Sequence, residues 1–82
     1  MPFFVYILKS TRDNKLYIGQ TNNLEDRLAR HNSGKVTATK NRRPLFVVHK
    51  EAYPSRTEAM QREKYLKSLK GGLERKLNIK FA

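Results

Sequence analysis

The sequence predicts an α+β fold, a three-stranded antiparallel sheet flanked by helices in the order β-β-α-β-α-α. Three observations carry this. Two segments rich in β-branched and aromatic residues, 3–8 and 16–20, stand either side of a turn-forming stretch and read as a hairpin. A third apolar segment, 45–51, is opened by Pro44. Helix-start signals at Asn22-Asn23 and at Ser55 precede the remaining segments.

Each element has its own justification. Phe3-Phe4-Val5-Tyr6-Ile7-Leu8 is apolar at every position and short, which reads as a strand covered on both faces and therefore central in its sheet. Ser10 to Lys15 is turn chemistry, and Leu16 to Gln20 is the return strand. Asn22 or Asn23 caps a helix running to about His31, and Asn22 with Glu25 fits a variant of the capping box. Asn32-Ser33-Gly34 stops it, with Gly34 suited to the left-handed position beyond the end. Residues 35–43 are polar, basic and aperiodic, a loop. Ser55-Arg56-Thr57-Glu58 is a cleaner capping box, and its helix should reach about Lys70 before Gly71-Gly72 breaks it. Leu73 to about Ile79 forms a short last helix.

At 82 residues the chain is expected to be one domain, 1–82, with little stability to spare for misplaced polar groups. Its net charge of +11 and pI near 10.4 favour polyanions, with nucleic acid the expected partner: DNA, or RNA. With no cysteine, zinc fingers of the thiolate type, Fe–S clusters, thiol catalysis and disulfides are excluded together. The Met1-Pro2-Phe3-Phe4 start lacks the charged region of a signal peptide. No apolar run approaches the ~18 residues that span a bilayer. A cytoplasmic protein, with no membrane partner and assumed monomeric, is expected.

Polar residues on apolar helix stripes are the functional candidates. Leu24, Leu28 and His31 share a stripe with Arg27 alongside, and Ala59, Glu63 and Leu66 share another. Each candidate also has an ordinary explanation. Glu63 can form a rim ion pair with Lys67, and His31 can sit charged at a helix C-terminus. Arg27 can snorkel, while Tyr6 and Tyr17 can be core aromatics.

Taken in order, these residues resemble the GIY-YIG endonuclease superfamily. Val5-Tyr6-Ile7 stands at the first motif, with Phe4-Val5-Tyr6 in place of Gly-Ile-Tyr, and Tyr17-Ile18-Gly19 matches the second letter for letter. Arg27, His31 and Glu63 match the arginine, the histidine-or-tyrosine position and the metal-binding glutamate. The resemblance covers nearly the whole chain and is closest to short stand-alone bacterial members. Two features depart from it: the first motif's glycine is absent, and the late asparagine of several family nucleases has no counterpart beyond Asn78.

The resemblance implies strand order 2-1-3 and metal-dependent hydrolysis of DNA phosphodiester bonds, in repair or recombination. Glu63 would hold one divalent ion, Mg²⁺ or Mn²⁺, since a two-metal site wants more carboxylates. Arg27 would clamp the scissile phosphate with its planar fork. Tyr17 leads as the group that orients or deprotonates the attacking water; Tyr6 and His31 remain as alternatives for the base. Lys35, Lys40, Arg42, Arg43, Arg62, Lys64 and Lys67 are the expected nucleic-acid contacts. The alternative is a non-catalytic nucleic-acid-binding module on the same fold, and charge alone also fits a ribosome-associated or RNA-packing protein.

Overall fold

The structure, a computed structural model, describes residues 2–69. The sheet comprises β1 (Phe3–Ser10), β2 (Leu16–Thr21) and β3 (Leu45–Tyr53), antiparallel throughout in the order β2-β1-β3. Two helices complete the described part, α1 (Leu24–Asn32) and α2 (Arg56–Ser68), with a short 3₁₀ turn at Lys40–Arg42. The last predicted helix, with Gly71-Gly72 and Asn78, lies outside the described residues.

The all-apolar β1 is central because both of its faces are covered. Val5 and Ile7 pack with Ile18 against Ala59 and Leu66 of α2. Tyr6 and Leu8 face the other way, with Leu45, Tyr17, Leu24 and Leu28, beneath α1. Alternation along a strand sends successive side chains to opposite faces, so one strand supplies both halves of the core. Full burial of Val5, Ile7 and Leu66 contributes about 1.5–3 kcal/mol each.

Local corrections to the expected bounds have physical causes. β1 runs on to Ser10, which is fully buried and whose hydroxyl donates to the Arg42 carbonyl and accepts from the turn amides of Arg12 and Asp13. β3 runs on to Tyr53, because Ala52 and Tyr53 still find partners in Phe4 and Phe3. The α1 cap is Asn23, whose side chain accepts from the Asp26 amide at 3.1 Å; the Asn22–Glu25 box does not form. Ser55 caps α2 as expected, accepting from the Glu58 amide. Gly34 takes the left-handed conformation, φ +84°, just past α1. The Asn32 amide then pairs both ways with the Leu45 backbone, at 2.9 and 2.8 Å, pinning the end of α1 to the start of β3.

A register shift between Ile7 and Leu8 matters for the site. Ile7 pairs with His49 and Leu8 with Val47, so Val48 is the extra residue of a bulge. Tyr6 is left between Gly19 on β2 and Lys50 on β3.

Candidate active site

Tyr6 and Tyr17 lie on the α1 face of the hairpin and meet His31 of α1 there. The Tyr6 and Tyr17 ring centroids are 6.4 Å apart, and His31 stands edge-on to both, at 6.0 Å from Tyr6 and 4.8 Å from Tyr17. His31 is fully buried, with Nε2 3.2 Å from the Tyr6 hydroxyl and Nδ1 2.7 Å from the Thr39 hydroxyl. The edge-to-face geometry suits the aromatic quadrupoles.

Gly19 sets the direction of Tyr6. A methyl group at Gly19 would lie 2.5 Å from the Tyr6 oxygen and 2.6 Å from Cζ. The Tyr6 phenol therefore lies directly over a strand position with no side chain. The phenol is buried there, 2% exposed, between the edge strand β2 and His31.

Glu63 comes from the other face. It lies on α2, between the buried Ala59 and Leu66. At about 100° per residue, Arg62 and Glu63 fall on opposite flanks of that stripe. Arg62 reaches β3, forking onto Glu51 at 2.9 and 3.1 Å. Glu63 takes the flank away from β3.

Burial pushes the Tyr6 phenol well above its ordinary pKa; Tyr17 adds to the rise, Arg27 opposes it, and Glu63 adds again. Arg27 and Glu63 act on this hydroxyl by charge only; their helices cover opposite faces of the sheet, so the carboxylate does not share the phenols' face as the sequence reading expects. Burial, assisted by Arg27, lowers the pKa of His31. Both effects favour the neutral imidazole over a charged histidine at the helix end.

Other expected contacts are placed differently. The Lys67 ammonium closes on Glu63 at 2.7 Å, the rim pair that the sequence allows. Arg42 is held by Asp13 and the Leu16 carbonyl. Arg43 donates to the Lys40 carbonyl. Arg62 is committed to Glu51, which also accepts from Tyr53 at 2.6 Å and bonds His49 at 2.9 Å. Lys35, Lys40 and Lys64 are exposed.

Sequence reasoning missed Thr39 and Lys50. Thr39 sits in an aperiodic loop and carries no pattern, yet it is fully buried against His31. Lys50 is exposed beside Tyr6 in register, but the bulge at Val48 breaks the alternation that would have assigned its face.

For a divalent ion, the donor set is the test. Among the described residues no three His, Cys, Asp or Glu side chains gather into one group. Glu63, with its side chain 21% exposed, offers a single hard carboxylate. That fits Mg²⁺ or Mn²⁺ sharing its shell with water and substrate oxygens, provided Lys67 swings aside.

Comparison with known proteins gives a consistent answer. Residues 2–78 match the GIY-YIG catalytic domain. A UPF0213 protein of Staphylococcus haemolyticus is 48% identical over 66 residues, 79% of each chain. A UPF0213 protein of Natronomonas pharaonis is 45% identical over 67 residues, covering 80% of this chain and 78% of its own. The solution NMR structure of a UPF0213 protein of Bacillus halodurans superposes with a TM-score of 0.53 at 38% identity, covering 84% of this chain and 73% of that one.

Proposed function

The chain belongs to the GIY-YIG family, and on that premise we propose that it is a metal-dependent endonuclease hydrolysing DNA phosphodiester bonds, acting in repair or recombination. One observation carries the reading. Side chains from β1, β2 and α1 form a contiguous cluster of two phenols and an imidazole, Tyr6, Tyr17 and His31, at the positions that the family's motifs mark.

In this reading Glu63 holds one Mg²⁺ or Mn²⁺, which supplies charge neutralisation at the phosphoryl and leaving oxygens when bound. The Arg27 fork holds two phosphate oxygens, fixing the scissile phosphorus over the cluster. Tyr17, beside Tyr6 at the sheet edge, orients the attacking water. Tyr6, kept protonated by burial, is a hydrogen-bonding group at neutral pH. Lys50, in register with Tyr6, joins Lys35, Lys40 and Lys64 as contacts to flanking phosphates.

Purified protein incubated with supercoiled plasmid and Mg²⁺ should give nicked circles. Glu63→Ala and Arg27→Ala should each abolish the product while changing stability by no more than about 1–2 kcal/mol. The second reading, a DNA-binding module without cleavage, is favoured by the Lys67–Glu63 contact, which occupies the carboxylate. DNA binding with no product above the Glu63→Ala background, in either Mg²⁺ or Mn²⁺, would establish it.

A further inference from the structure

The hairpin tip and the loop before β3 are fastened into one surface. Ser10 Oγ donates to the Arg42 carbonyl and accepts from the Arg12 and Asp13 amides at 3.1 and 3.3 Å. The Thr11 amide donates to the Pro44 carbonyl at 3.0 Å. The Arg42 side chain reaches back to Asp13 at 3.1 Å and to the Leu16 carbonyl at 3.3 Å. Asp13 is the one acid in residues 11–15 and 33–44, and Arg42 neutralises it. Five cations of the same two segments stay exposed: Arg12, Lys15, Lys35, Lys40 and Arg43. Arg43 gives Nε to the Lys40 carbonyl, and its guanidinium lies over Gly34, next to Lys35; a methyl group at Gly34 would stand 3.0 Å from Cζ.

Chain direction separates the charges. β1 runs toward the tip, α1 ends against the start of β3, and β3 runs away from it. The acids Glu25, Asp26, Glu51 and Glu58 therefore collect at the far end, where the helices begin and β3 finishes. The tip end borders the phenol cluster: Thr39 bonds His31, and Lys40 follows it. Lys15 precedes Tyr17 by two residues, about 7 Å along a strand. Residues 11–15 and 39–43 contain no apolar side chain, so this surface lacks the anchors of a protein interface or a lipid-inserting face. Exposed cations on a fixed frame, with the local acid neutralised, suit a phosphate backbone.

We propose that this end of the sheet is a phosphate-gripping platform on which Arg12 and Lys15 of the hairpin tip, with Lys35, Lys40 and Arg43, hold the DNA backbone on one flank of the cleavage site. The assignment to DNA rests on the nuclease reading; the platform is a property of the free protein. Ser10 and the Asp13–Arg42 pair fix the tip before DNA arrives, so little chain is ordered on binding. Phosphate contacts carry no base information, and the platform therefore supplies affinity without sequence choice.

Salt titrations of the full chain binding a labelled DNA duplex test this. Arg12→Gln with Lys15→Gln should lower the slope of log affinity against log salt by about two. Arg56→Glu, at the far end where α2 starts, changes the net charge equally and should leave the slope as it is. In nicking assays the double variant should raise KM with kcat little changed. Equal effects of the two changes would mean that affinity follows net charge alone and overturn the proposal, as would a slope unaltered in the double variant. Tighter binding of structured RNA than of the duplex at the same salt overturns the assignment to DNA. Should the double variant fail to fold, the two single variants, each expected to lower the slope by about one, decide. If binding depends on the tip as expected but the wild type nicks nothing, the nuclease reading fails and the platform stands.

Discussion

Gly19 shows how much a missing side chain can decide. Its empty position lets the buried Tyr6 phenol lie over β2 against His31. Gly19→Ala would place a methyl group within 2.6 Å of both the Tyr6 oxygen and Cζ, and the phenol would have to leave His31. The expected result is loss of nicking together with about 1–3 kcal/mol of destabilisation by thermal melting. Retained activity with unchanged melting would mean that Tyr6 has room the structure does not show. At this scale, helical spacing singles out Arg27, His31 and Glu63, whereas Tyr6 and Tyr17 stand out only by the resemblance of their motifs. Thr39 was invisible for the opposite reason: a loop has no period, so nothing in the sequence distinguishes its buried hydroxyl from the exposed ones nearby.

Elements were legible wherever local chemistry fixes an end. Ser55 and Gly34 act as their residue types suggest. The two adjacent asparagines before α1 offered equivalent caps, and only the path of the chain out of β2 selects Asn23. Asn23→Ala should therefore cost about 1 kcal/mol by thermal or urea unfolding, with Asn22→Ala near zero. α2 is tied to β3 by a contact no sequence pattern announced, the Arg62 fork on Glu51. Burial raises the Glu51 pKa, but the hydrogen bonds from Arg62, His49 and Tyr53 outweigh it and hold the carboxyl at about 2, against an ordinary 4.5. A depressed carboxylate pKa means that the unfolded chain binds the proton first. The stabilisation is thus complete above about pH 4.5 and is lost as pH falls toward 2. Acid unfolding should show this as about 1–2 kcal/mol after allowance for solvent screening, and Glu51→Gln should remove that part of the pH dependence.

At the scale of the whole molecule, the excess of positive charge is a sequence property, but its availability is a structural one. Arg42, Arg43, Arg62 and Lys67 bond within the protein, while Lys35, Lys40, Lys50 and Lys64 are among the exposed cations. Neutralising Lys50 or Lys40 should weaken DNA binding across sequences and reduce the slope of log affinity against log salt by about one each, whereas Arg62→Gln should disturb stability more than that slope. The central, doubly covered β1 followed from the apolar run, in agreement with the strand order that the resemblance implies. The two-faced arrangement did not, since nothing in the sequence says that α1 and α2 take opposite sides of so small a sheet.

That arrangement makes the central claim demanding: a carboxylate on the α2 face must share a site with phenols on the α1 face, around the edge of β2. Paramagnetic broadening by Mn²⁺ measures this without requiring turnover. Resonances of Tyr6, Tyr17, Arg27 and His31 should broaden at low Mn²⁺ in the wild-type protein and stay sharp in Glu63→Ala. Broadening centred on Glu51, His49 and Tyr53, or a pattern unchanged by Glu63→Ala, would contradict the account.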